Sequence, residues 1–275
     1  MTNAASRKIA DLGTYLVLIA FSLAILLPIL WTFRVSMLPE VEAYTIPPKL
    51  FSGFGFENYR ALLVDMNFLF FLKNSLIISF LATLVSVPLS TMGGFAFARY
   101  GVGGNLLKFA VLGTQMLPGI ILVLPIFVVF NSLRLTDSFL GLTIAYMTFN
   151  IPFLVWMLIG FFEGIPRELE EAAALDGLSP MKAFFKIIVP VATPGILAAA
   201  VLSFIFCWNE FLFALILSGG ETTTVPVRLA AMKTKQGILI ARLSAGVILA
   251  ISPMVVISPF VKKYLISGLT LGSVK

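Results

Sequence analysis

The sequence predicts an all-α integral membrane protein with six transmembrane helices. Three observations carry that prediction. Of 275 residues, 59% are hydrophobic and only 12% are charged, where a soluble domain carries about 25% charge. Mean hydropathy is +1.04. Six stretches are long enough to cross a hydrocarbon core, which takes roughly 20 apolar residues. Their apolarity is continuous rather than alternating, which favours helices over barrel strands. No internal repeat is evident, and residues 1–275 read as one transmembrane domain.

The first span is expected over residues 12–33. It is about twice as long as a signal-peptide core and lacks a small-residue cleavage site, so it reads as retained. Residues 38–67 form a polar segment. Pro39, Pro47, Pro48, Gly53 and Gly55 make its first part a loop, and Glu57–Leu63 reads as a short interfacial helix. Spans two, three and four are expected over 70–97, 106–130 and 139–162. Residues 163–193 form a second long polar segment. Span five is expected over 194–217, a third polar segment over 218–236, and span six over 238–261. Pro28, Pro88, Pro118, Pro125, Pro152 and Pro253 fall inside spans. In lipid, such breaks are tolerated where neighbouring helices or a cavity satisfy the freed carbonyls. Gly93-Gly94 and Gly195 with Ala198, Ala199 and Ala200 offer small surfaces for helix contact.

Charge and composition exclude several functions. The net charge of +6 is scattered, with no basic run longer than Lys262-Lys263, so nucleic acid is not an expected partner. Histidine is absent, which removes the commonest metal ligand and general base. The single cysteine, Cys207, can form neither an intrachain disulfide nor a thiolate cluster. No paired intramembrane acids and no nucleophile motif suggest an enzyme. Charge does not orient the chain. With the N-terminus inside, ten Lys or Arg fall on inner segments and six on outer loops, or nine once Arg34, Lys73 and Arg242 at the helix ends are counted.

Residues 163–193 carry the most information. Pro166 suits a first helical position, and Glu168, Glu170 and Glu171 favour the N-terminal dipole of a helix that continues through Ala172, Ala173 and Leu175. Asp176-Gly177 breaks it, with Gly177 free to take positive φ. Ser179 is placed to cap a second helix that Pro180 begins, with Phe184, Phe185, Ile187 and Ile188 as its apolar stripe. Pro190 and Pro194 then lead back into the membrane. The segment reads as a helix–turn–helix outside the bilayer.

Its spacing closely resembles the EAA loop of ABC importer permeases. In that family Glu-Ala-Ala is followed after three residues by Gly, and after nine more by Ile, one residue and Leu-Pro. Here these are Glu171-Ala172-Ala173, Gly177, Ile187 and Pro190, with Val189 in place of the Leu. The rest of the chain is similar to the MalG-type carbohydrate permeases of that family. Supporting segments are Glu57-Asn58-Tyr59, Trp208-Asn209-Glu210-Phe211, Thr224-Val225-Pro226-Val227 and the tail Gly268–Lys275. A departure is Lys235-Gln236-Gly237, where relatives commonly carry an acidic residue and a Trp.

The resemblance implies a type I ABC importer permease fold in which residues 163–193 form a cytoplasmic coupling helix that docks on a separate ATPase. Glu171, Ala172, Ala173, Asp176, Gly177, Phe184 and Pro190 would carry that coupling. No GxxxxGK[ST] phosphate loop occurs, so no cofactor is expected in this chain, and ATP and Mg would be bound by the partner. Further implied partners are a second, MalF-like permease, two ATPase copies, an extracytoplasmic solute-binding protein and membrane lipid. The implied location is a bacterial or archaeal inner membrane, multi-pass, with both termini cytoplasmic. The expected function is ATP-driven import of a sugar or oligosaccharide.

Intramembrane polar residues are functional candidates by default, because they are costly in lipid. Gln115, Tyr146, Asn150, Asn209 and Glu210 are the candidates for the substrate pathway, since amide, hydroxyl and aromatic groups suit a polyhydroxylated ligand. The alternative for the amides is interhelical hydrogen bonding. Glu210, the acid well inside a span, also suits a structural pair with the other permease. Two other functions compete. An ABC permease for glycerol phosphate or a polyol would keep the loop, but the sequence shows no Arg cluster for a phosphate. An ion-coupled secondary transporter would use Glu210 as its ion site and leave the loop unexplained.

Overall fold

The computed structural model describes residues 2–46, 53–234 and 237–271. Pro47, Pro48, Lys235, Gln236 and the last four residues of the tail lie outside them. In chain order the helices are α1 (Thr2–Ser36), α2 (Glu40–Ala43), α3 (Glu57–Arg60), α4 (Phe68–Tyr100), α5 (Gly104–Gln115), α6 (Gly119–Ser132) and α7 (Phe139–Glu163). They continue as α8 (Glu168–Leu175), α9 (Pro180–Ala183), α10 (Val189–Trp208), α11 (Leu212–Leu217), α12 (Val225–Ala230) and α13 (Ile240–Leu271). Short β1 (Lys233–Thr234) and β2 (Gly237–Ile238) pair antiparallel where the third polar segment meets the expected sixth span. Among the described residues, five helices are long and apolar enough to span a membrane, six if α5 and α6 count as one.

Contacts divide the chain into two units. The first holds residues 1–68 and 229–252. No residue of the apolar window of α1 is buried within the chain, as expected of a helix that faces lipid. Its C-terminal end is clasped by the Glu57-Asn58-Tyr59 segment. Asn58 Nδ2 donates to the carbonyls of Ser36 (3.0 Å) and Leu38 (2.7 Å), and the Tyr59 and Ser36 hydroxyls share a hydrogen bond of 2.6 Å. These bonds cover carbonyls that a helix end leaves without partners. At the start of α13, the Glu40 carboxylate accepts from the amides of Ala241 (3.1 Å) and Arg242 (3.3 Å).

The second unit holds residues 69–228 and 253–275. Its core is built on α4, α6, α7, α10 and α11 in two clusters. One gathers Ile78, Val123, Leu142, Tyr146 and Phe213; the other gathers Phe95, Leu158, Phe162, Phe184 and Ile188. Close approach needs small residues, and Gly94 is one. A Cβ there would lie 2.9 Å from Leu158 Cβ, so α4 and α7 pack backbone to backbone as such glycines allow. Gly195 meets the Phe161 ring in the same way.

The structure corrects the linear reading at four places in this unit. The third span is two helices meeting at 93°. Pro118 offers no amide and pushes Leu117 out of the helical region, so α5 ends at Gln115 and Pro118 becomes the N-cap of α6. The fifth span also breaks, after Trp208, and resumes as α11. The second helix of the 163–193 segment is not separate from that span, for Pro180–Trp208 runs on as one helix. A π-turn over Phe184–Ile188, closed by Val189 N–H to Phe184 O, absorbs Pro190 without stopping the helix. Finally, α8 begins at Glu168 with Arg167 as its N-cap, two residues beyond Pro166, and Ser179 occupies the N-cap of α9 without a side-chain hydrogen bond.

Candidate functional site

Two places in the second unit concentrate chemistry. The first is the turn between α8 and α9. Helix α8 ends in a Schellman arrangement, with Leu178 N–H donating to Ala173 O (2.9 Å) and Gly177 N–H to Ala174 O (3.0 Å). That arrangement needs a residue in the left-handed region, and Gly177 has φ +77. Helix α8 has two faces. Leu169, Glu170 and Ala173 turn inward, and Glu171, Ala172, Leu175 and Asp176 are exposed. Leu175 is 90% exposed and Met181, just beyond the turn, 59%. Two large apolar side chains thus stand exposed at an otherwise polar tip.

The inward face is anchored to α4. Arg99, in the last turn of α4, pairs through Nε with Glu170 and donates through Nη2 to Ile165 O at 2.7 Å. One turn earlier, the Phe95 ring lies between those of Phe184 and Phe162, at centroid distances of 4.7 and 5.5 Å. Nearby, Lys108 of α5 pairs with Glu163 at the end of α7 (3.1 Å).

The second place is a cavity of about 300 Å³ where the two broken helices meet α7. Thr114, Gln115, Thr148 and Glu210 supply its polar groups, and Leu117, Leu122, Phe149, Leu212 and Phe213 much of its apolar wall. Gln115 Nε2 donates to Phe149 O (2.8 Å), which fixes the amide and turns its carbonyl oxygen free. The Glu210 carboxylate accepts from the amides of Phe213 (2.9 Å) and Ala214 (3.0 Å). Within this chain it therefore caps α11, satisfying amides that the break exposes. A set of hydroxyls, amide and carboxylate beside an aromatic ring offers a polyhydroxylated ligand both hydrogen bonds and stacking.

The five pathway candidates separate. Gln115 and Glu210 line the cavity. Asn209 is exposed beside it, donating to Ile205 O at 2.8 Å. Tyr146 is 1% exposed and Asn150 is fully buried, so in this conformation neither lines an opening. Asn150 Nδ2 bonds Ser203 Oγ (2.6 Å) and Cys207 Sγ (3.2 Å), and Ser203 in turn bonds Thr83. Asn150 thus ties α7 to α10, and Ser203 ties α10 to α4. Of the seven coupling candidates, Glu171, Ala172, Asp176, Gly177 and Pro190 are exposed, and Ala173 and Phe184 are buried anchors. Sequence reasoning named Thr148 as a polar residue near the pathway but overlooked Thr114 and Phe149, whose only signal was their nearness to breaks at Pro118 and Asn209. It also assigned Glu170 to the helix dipole, although a buried Arg99 on α4 holds it.

The far end of the same unit is closed by Asp137. Its carboxylate accepts from the amides of Gly219 (2.8 Å), Glu221 (3.2 Å) and Thr222 (3.0 Å) and from the Thr222 hydroxyl (2.7 Å). Burial pushes this carboxyl up, but those hydrogen bonds together outweigh it and hold its pKa below the usual carboxylate value. From α4, Asn74 donates to Glu221 O (3.0 Å) and Thr223 O (3.1 Å), and Ser75 Oγ accepts from Val225 N–H (2.8 Å). Since α5 starts at the Glu163 end and α6 leads to the Asp137 end, the bent pair runs from one end of the unit to the other.

Residues 86–270, which include both places, match the family described as binding-protein-dependent transport system inner membrane component. The chain belongs to this family. Full-length relatives agree. The chain is 37% identical to the trehalose transport system permease protein SugB of Mycobacterium tuberculosis, covering 91% of this chain and 92% of that one. It is 34% identical to the trehalose/maltose transport system permease protein MalG of Thermococcus litoralis, covering 94% of each. Among solved structures, a bacterial ABC transporter involved in the import of the acidic polysaccharide alginate matches with TM-score 0.74 at 22% identity, covering 94% of this chain and 97% of that one. That likeness establishes the fold. As a binding-protein-dependent inner-membrane component of ABC type, the chain is a non-catalytic permease subunit that works with a solute-binding protein and an ATPase.

Proposed function

We propose that this chain is one of two permease subunits in an ATP-driven importer of a neutral or modified sugar, and that it supplies half of the pathway. Residues 163–193 face the cytoplasm, as do both termini, and α8 docks on one of two ATPase copies through Glu171, Ala172, Leu175 and Asp176. Asp137 and residues 218–225 then face outward, toward the solute-binding protein. The cavity at Gln115 and Glu210 is this subunit's share of the path. ATP and Mg belong to the ATPase, and movement of α8 alternates access to the cavity.

The observation that carries this reading is the exposed apolar tip at Leu175, on a helix fixed from behind by Arg99, in a chain similar over nearly its full length to trehalose and maltose permeases. The test is reconstitution with the second permease, the ATPase and the binding protein encoded beside it. Trehalose and maltose uptake is expected with ATP and is expected to be absent with this chain alone. Uptake by the single chain without ATP would overturn the reading in favour of an ion-coupled transporter.

A further inference from the structure

Helix α8 presents two acids to two different directions. Successive helical residues point about 100° apart, and here Glu171 is exposed while Glu170 turns inward to Arg99. Arg99 has a side chain 5% exposed, and Glu170 one that is 24% exposed. A guanidinium so far from water is kept only where hydrogen bonds and an opposite charge hold it in one geometry. Both are present, since the Glu170 carboxylate lies against Nε as an ion pair and the carbonyl of Ile165, in the connection after α7, accepts from Nη2 at 2.7 Å.

The position of Arg99 gives the pair its meaning. It sits in the last turn of α4, a helix of 33 residues, whose first turns hold the opposite end of the unit through Asn74 and Ser75. Phe95, one turn before Arg99 on the same face, is wedged between Phe162 and Phe184. Those ring contacts reach α7 and the turn at Phe184, not α8. The ion pair reaches α8 itself, and parting it would leave a buried charge unpaired. Beside it a cavity of about 130 Å³, lined by Phe95, Tyr100, Glu170, Ala174 and Leu178 among others, leaves the rest of that side of α8 loosely filled. The firm link from α8 to α4 is therefore the Arg99–Glu170 pair.

We propose that this pair is the strut through which displacement of α8 by the ATPase is delivered to α4, with Arg99 and Glu170 as positioning residues for transport. The inference rests on the function proposed above. Without the strut, α8 still carries its docking face, so the ATPase binds and hydrolyses ATP, but the membrane helices no longer follow.

The test uses the complete reconstituted transporter, so that no cargo need be known. A cysteine is placed at Thr148, in the cavity at the broken helices, in a Cys207→Ser background. Its labelling by an impermeant maleimide is compared with and without ATP and vanadate, beside ATPase retention and hydrolysis. With the pair intact, labelling is expected to change with ATP. In Glu170→Gln, which keeps a hydrogen-bond acceptor, retention and hydrolysis should stay within about twofold while the ATP-driven labelling change falls roughly tenfold, the scale of a coupling between sites. Arg99→Gln should do the same, and Arg99→Lys should recover part of the response.

Two outcomes overturn the strut: single variants whose labelling still responds fully to ATP, or variants that lose ATPase retention and labelling response in equal proportion, which would make the pair a support for the docking face alone. Should Arg99→Gln fail to accumulate, Glu170→Gln and Arg99→Lys decide the matter. If the chain with its pair intact retains no ATPase at all, the proposed function fails first and takes the strut with it.

Discussion

The two ends of the second unit are built on opposite plans. At one end the backbone of residues 217–225 is stitched down by Asp137, Asn74 and Ser75, and its donors are consumed within the chain. At the other, a single ion pair and one carbonyl hold α8 from behind, and Leu175 and Met181 stand in the open. The first end is closed and self-sufficient. The second is held from behind and leaves its outer face exposed. A difference in hydrogen bonding thus separates an end that keeps its shape alone from the end that, under the proposed function, a partner would complete.

The sharpest way to break this contrast is at Gly177. Its φ of +77 is the left-handed conformation, and a Cβ there would meet nothing within 4 Å. Gly177→Val therefore adds strain of about 1–2 kcal/mol without a clash. The chain should insert at normal levels yet lose ATPase retention and uptake, while Gly177→Asn, which tolerates this conformation, should keep both. A pull-down beside a membrane blot reads the result, and full retention by Gly177→Val would sink the docking assignment.

An intermediate effect is expected at the stitched end. Asp137→Ala leaves several loop amides without their acceptor, a loss of about 1–3 kcal/mol, and should raise hydrogen exchange across residues 218–224 while ATPase retention is unchanged. The pH dependence has a defined sign. The folded pKa of Asp137 lies below its unfolded value, so its contribution is complete above the usual carboxylate pKa of about 4 and is lost as pH falls through the lower, folded value. Loop exchange that ignores Asp137 would remove the basis for calling this end self-sufficient.

The smallest effect is expected at Glu210. Glu210→Ala removes the acceptor for Phe213 and Ala214, worth roughly 0.5–2 kcal/mol for a capping residue. Faster exchange should be confined to α11 (Leu212–Leu217), with both ends of the unit undisturbed. Should the same variant instead release a second permease while α11 stays protected, Glu210 is an intersubunit residue and not a cap.

How much of this was legible in the sequence depended on range. Gly177 could be read because its signals are adjacent: acids, an apolar helix, then Gly and Ser-Pro within a few residues. Glu210 was also locally decipherable in principle, since its partners are three and four residues on, but Phe211 and Leu212 concealed a helix start inside an apolar run. The bend at Pro118 was hidden differently. Hydropathy sums apolarity along a line and is blind to direction, so two short helices at 93° scored as one span. Arg99 and Glu170 lay beyond reach because nothing in either neighbourhood names the other. Tyr146 and Asn150 show the reverse limit. Polarity within lipid flagged both as costly, but whether the cost is met by a ligand or, as for Asn150, by Ser203 and Cys207 is decided only by packing.

The bend in the third span also bears on how the chain is made. Helix α5 has 12 residues and α6 has 14, about 18 and 21 Å at 1.5 Å per residue, and neither bridges a hydrocarbon core of about 30 Å. At the corner between them, carbonyls are left without intrahelical partners, and the neighbours packed against this corner lie on α7 and α11, where Phe149 O accepts from Gln115 and Leu212 and Phe213 wall the cavity. Synthesis runs from the N-terminus, so α5 and α6 emerge before any of those neighbours exists. In bare lipid an exposed corner is prohibitive. The cavity beside this corner is walled by residues from Thr114 to Phe213, so it can be completed only after residues 139–217 have been made.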